Sequence, residues 1–85
     1  KIKDYQKSID NLKLAINYGK NIPLLRFHTY YLFSIIYYNV NNITKSLSWY
    51  TKTNKLKQEF SFEEERYEKK FSKRILKKYK QSIAN

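Results

Sequence analysis

Eighty-five residues make one small domain, and a chain of this length buries only about 60–65% of its unfolded surface, so it depends on close packing. It has no cysteine, which excludes disulfides and thiolate metal sites. Its single glycine and single proline exclude glycine-rich phosphate loops and argue against a turn-rich all-β fold. Its 41% apolar and 18% aromatic residues argue against disorder despite the charge, and a formal charge of +11 suits an anionic partner, although lysine, isoleucine, tyrosine and asparagine, all with A- and T-rich codons, supply nearly half the chain and so weaken the charge as a sign of nucleic-acid binding.

The expected class is all-α, with four helices. Ile2, Tyr5, Ile9, Leu12 and Ile16 alternate spacings of three and four, which predicts an amphipathic first helix over residues 2–18. Gly19 is expected to end it in the left-handed conformation, and Pro23 to stand near the start of the next helix. The second helix, from Leu24 to Asn39, is apolar nearly all round, so it is expected to be covered on several sides. A membrane span is not favoured. The apolar run is shorter than the ~20 residues a span needs, and Arg26 and His28 interrupt its first turns.

Asn39 to Asn42 reads as a turn, since asparagine tolerates the left-handed region. The third helix is expected from Ile43 to about Leu56, with Ile43, Leu47, Tyr50 and Asn54 along one stripe and Ser46 and Thr53 beside it. Ser61 to Glu64 has the form of a capping box, which predicts that the fourth helix starts there. Its apolar stripe is Tyr67, Phe71, Ile75, Tyr79 and Ile83, and its second half is crowded with lysine. The glutamates at its start complement the positive end of the helix dipole.

No motif supports an enzyme. His28 stands alone, without the further ligands a metal site needs, and is expected to be a satisfied, partly buried histidine. The cluster Glu63, Glu64, Glu65 and Glu68 is accounted for by helix capping. No metal and no cofactor are expected. The basic face of the fourth helix is a candidate phosphate-binding stripe, whose alternative is a solvated helix face.

Ser8, Leu12 and Ala15 share the small-large-small spacing of Ser46, Tyr50 and Thr53, and the two anchors stand 38 residues apart. Tyr30, Phe33, Ser34 and Tyr37 then supply an aromatic, a large apolar, a small residue and a tyrosine one helix earlier. This pattern resembles the tetratricopeptide repeat, with its period of about 34 residues. Serine and threonine replace the glycine and alanine of that repeat, and its terminal proline is missing. The resemblance implies antiparallel helical hairpins of an α-solenoid. Residues 1–60 would form one and a half repeats, and residues 61–85 an amphipathic capping helix. The chain, opening on Lys1, is then expected to be a fragment of a longer array.

The resemblance also implies a groove lined by the second helix, into which His28, Tyr31, Ile35, Tyr38 and Asn39 would point; packing on a neighbouring repeat is the alternative use of the same face. The implied function is a non-enzymatic protein- or peptide-binding module. The lysine- and asparagine-rich composition is further similar to the sensor domains of peptide-pheromone-responsive regulators of Gram-positive bacteria. That likeness implies the sensor or dimerisation end of a cytoplasmic transcription regulator. A basic helical bundle that binds nucleic acid directly is the alternative, and an exposed apolar face on the first or second helix offers a route to a homo-oligomer.

Overall fold

The computed structural model describes residues 2–84, with side chains from 5 to 80. Four helices follow in order: α1 (Ile2–Tyr18), α2 (Pro23–Asn39), α3 (Ile43–Phe60) and α4 (Arg66–Ala84). Ile2 and Ile83, expected on apolar stripes, lie outside the described side chains.

Each connection has a physical cause. Gly19 does not take positive φ, contrary to expectation. Its N–H continues the helical pattern to the Ala15 carbonyl at 2.9 Å, and a Cβ there would collide with the Leu25 side chain. The glycine thus leaves room for the end of the Leu25 side chain and does not serve a left-handed backbone. Pro23 opens α2, where its missing N–H costs nothing. At the far end of α2, Asn41 sits at φ 65°. The Asn41 N–H reaches the Tyr38 carbonyl at 3.0 Å and the Asn42 N–H reaches that of Tyr37 at 2.8 Å. That pair of bonds is a Schellman motif. Asn42 then caps α3, its side chain accepting from the Lys45 N–H at 3.3 Å. One residue closes one helix and opens the next.

The α3–α4 junction differs from expectation. Ser61 takes φ 56° and ends α3 in the left-handed region, so α3 continues past Leu56 to Phe60 and α4 begins at Arg66. The capping box is not formed at Ser61–Glu64. Its reach-back half occurs four residues later, where the Glu68 carboxylate accepts from the Glu65 N–H at 2.6 Å. Glu64 is drawn away to other partners, described below.

α2 touches each of the other helices and packs most extensively on α3. Their closest approach is set by two serines, both fully buried. The Ser34 hydroxyl donates to the Ser46 carbonyl at 2.7 Å, and the Ser46 hydroxyl donates to the Ser34 carbonyl at 2.6 Å. Small side chains bring the helices together, and the reciprocal bonds satisfy hydroxyls that burial would otherwise penalise. Large residues fill the space on either side. Phe33 stacks on Trp49 with ring centroids 4.3 Å apart, and Phe27, Tyr31 and Tyr50 form the other flank with Leu56.

α4 closes the core with Phe71 and Ile75. Tyr67 and Tyr79 of the expected stripe are partly exposed instead, and Glu68 occupies the buried face. α1 stays outside this core. Among its described side chains Ile9 alone is buried, while Leu14 is 56% and Tyr18 87% exposed.

Candidate ligand-binding face

The five residues expected to line a groove share one side of α2, and α4 divides them. His28 and Tyr31 lie under the start of α4. The His28 Nδ1–H donates to the Glu68 carboxylate at 2.7 Å. Glu68 is fully buried, and its second oxygen is the one that accepts from the Glu65 N–H. His28 is thus a satisfied, half-buried histidine, as expected, and its partner is a glutamate that capping alone does not explain.

Tyr31 is fully buried. Its hydroxyl donates to Glu64, as does the Ser72 hydroxyl at 2.9 Å, and Lys57 from α3 donates to the other carboxylate oxygen at 2.9 Å. The Tyr31 ring meets Phe27, Tyr50 and Phe71 edge-on, with centroids 5.4, 6.1 and 6.5 Å away. Tyr31 is therefore a core residue with a polar tip and not a free groove wall. Among the described residues, no buried side-chain nitrogen or oxygen is left unpartnered.

Ile35, Tyr38 and Asn39 remain beside open space. They form one wall of a cleft of about 240 Å³ whose other wall is α4, through Tyr67, Lys70, Phe71 and Arg74. Tyr38 meets the Phe71 ring edge-on at 5.5 Å and fixes the floor. A second recess of about 210 Å³ shares Tyr38 and Arg74 and is completed by Lys77 and Lys78. Together they give apolar and aromatic surface on the α2 side and cations on the α4 side. Burial pushes the Tyr67 phenol above its ordinary value, and the Glu68 and Glu65 carboxylates push it in the same direction.

A different groove, of about 420 Å³, opens between α1 and α2. Its walls are Ser8, Asn11, Leu12 and Ala15 on α1 and Leu32 and Ile36 on α2. Ser8 and Ser46, read as equivalent anchors, differ in burial: Ser46 is sealed between helices, while Ser8 is half-buried at the edge of this groove.

Sequence reasoning missed the α4 wall of the cleft and the buried Glu68. The one available signal was its spacing, since Glu68 falls three residues before Phe71 and seven before Ile75, on their helical face. Among the described residues, no three His, Asp or Glu side chains converge as metal ligands, and no helix is long and apolar enough to cross a membrane. Comparison with protein-family models, with curated proteins and with solved structures gives no match. The chain is a small all-helical domain of four helices with hairpin contacts.

Proposed function

We propose that this domain is a non-enzymatic protein- or peptide-binding module built on tetratricopeptide-like hairpins. The observation that carries the reading is the cleft at Ile35, Tyr38 and Asn39, which stays open although α4 covers the rest of the same α2 face. It offers apolar floor, aromatic edges and a side-chain amide, the mixture that peptide-binding surfaces use. Two further features support the repeat-like geometry. The reciprocal Ser34–Ser46 contact falls where that repeat places its small residues. The domain measures 39 × 34 × 20 Å, so it is about two helix diameters thick, as a slice of a two-layer array is. The resemblance to the sensor domains of peptide-pheromone-responsive regulators implies, for such a module, the sensor or dimerisation end of a cytoplasmic regulator.

The test is selection of binders from a displayed library of random 12-residue peptides, followed by titration of the best one. Affinity is expected to hold in 0.5 M salt and to fall at least about tenfold in Tyr38→Ala combined with Asn39→Ala. Tyr31 is unsuitable for this purpose because it is buried in the core. Unchanged affinity in the double variant sinks the cleft as the site.

A further inference from the structure

We infer that the outward face of α4 binds the phosphodiester backbone of nucleic acid, a function separate from peptide capture in the cleft. From Lys69 to Lys80 this helix carries seven cations and no acid, and all seven are exposed. Helical spacing places Lys69, Lys70, Lys73, Lys77 and Lys80 on the side opposite Ile75, with Arg74 and Lys78 on the flank that borders the cleft. Among the described residues none of them forms an ion pair with a carboxylate.

The structure shows why this face is purely positive. Glu68 lies on the helical face of Phe71 and Ile75, Glu64 is turned inward, and the exposed Glu63 and Glu65 stand before the first turn of α4. Lys57, Tyr31 and Ser72 hold Glu64, and His28 and the Glu65 N–H hold Glu68. The pattern is uneven along the chain: α1 interleaves its lysines with Asp4 and Asp10, whereas α4 carries no acid after Glu68. Eight of the eighteen cations lie on α4.

Arg66 to Lys80 spans about 21 Å at 1.5 Å per residue. One strand of a duplex presents a phosphate every ~3.4 Å along its axis, about six over this length, and the five cations opposite Ile75 set the number of contacts at four or five. Long lysine side chains act as point charges and suit phosphate oxygens more than base edges. Neutralising four or five phosphates gives a slope of log affinity against log salt of about −4 to −5, hence a loss of a few hundredfold between 50 and 200 mM salt.

The experiment is fluorescence anisotropy of the whole domain with a labelled 20-base-pair duplex and a labelled 20-nucleotide single strand, over that salt range. The triple variant Lys69→Gln, Lys73→Gln, Lys80→Gln touches neither wall of the cleft. It is expected to reduce the slope by about 2 to 3. A control triple with the same charge loss, Lys7→Gln, Lys13→Gln, Lys20→Gln on and beside α1, is expected to change it by less than about 1. Thermal melting of both triples checks that each is folded. Binding of either nucleic acid with the slope difference between triples supports the inference. Equal losses in the two triples overturn it, since net charge alone then suffices. Absence of binding to both nucleic acids at 50 mM salt also overturns it, and binding to phosphatidylserine vesicles in that case reassigns the face to a membrane surface.

Discussion

At the scale of single residues, the α2–α3 pair is defined by how little volume Ser34 and Ser46 occupy. Each hydroxyl donates to the other residue's backbone carbonyl across the helix crossing, so both side chains are buried without an unpaired donor. Ser46→Ala removes one such bond but keeps the size, and the Ser34 carbonyl is not stranded because α2 continues past it as regular helix. The expected cost is about 1 kcal/mol. Ser46→Leu is different in kind. It forces a large side chain into a contact with no space, and either the helices separate or the Phe33–Trp49 stack shifts. The expected cost is about 3 kcal/mol or more. Urea denaturation of the two variants checks this, and equal stabilities would show that α2 and α3 are not held at close approach by this serine.

At the scale of elements, α4 docks through a few deep contacts more than through broad helix packing. Its backbone approaches α2 over only a short stretch, while Phe71, Ile75 and Glu68 reach into the core. Glu68 is the polar member of that set. Truncating it to Ala leaves His28 and the Glu65 N–H without their acceptor, and the expected loss is about 2–3 kcal/mol. Glu68→Gln keeps an acceptor in place and is expected to lose about half as much. A double-mutant cycle with His28→Ala should return a coupling of about 1 kcal/mol; a coupling indistinguishable from zero would mean that the pair is not what seats α4. The same elements show how far the sequence could be read. Ile2–Tyr18 and the Asn39–Asn42 turn were legible because hydrophobic spacing and asparagine chemistry are local signals. The start of α4 was not. Ser61 and Glu64 have capping-box spacing, yet Ser61 closes α3 instead and Glu64 finds Tyr31, Ser72 and Lys57. Long-range partners overrode a local pattern. For the candidate face, spacing alone placed His28, Tyr31, Ile35, Tyr38 and Asn39 on one side of α2. Which of them α4 covers depends on a docking geometry that no local spacing encodes.

At the scale of the molecule, stability is unevenly distributed. The core unites α2, α3 and α4 through Phe27, Tyr31, Tyr50, Leu56, Phe71 and Ile75, and none of the described α1 side chains belongs to it. α1 lies against α2 with Ile9 as its one buried described side chain, and the groove beside Leu12 and Ala15 leaves apolar surface uncovered. A helix of this length is marginal in water without tertiary packing. Opening α1 alone therefore exposes little buried area, whereas opening α2 or α3 dismantles the core. Native-state hydrogen exchange is expected to divide accordingly. Amides in the middle of α2 and α3 should exchange only through global unfolding, with the largest denaturant dependence. Amides in the middle of α1 should exchange through a smaller opening, at a free energy lower by about 1–3 kcal/mol and with a weaker dependence on denaturant. If α1 and α2 amides instead merged into one isotherm, α1 would be part of the same cooperative unit. The groove between them would then be a fixed surface feature and not the boundary of a weakly attached helix.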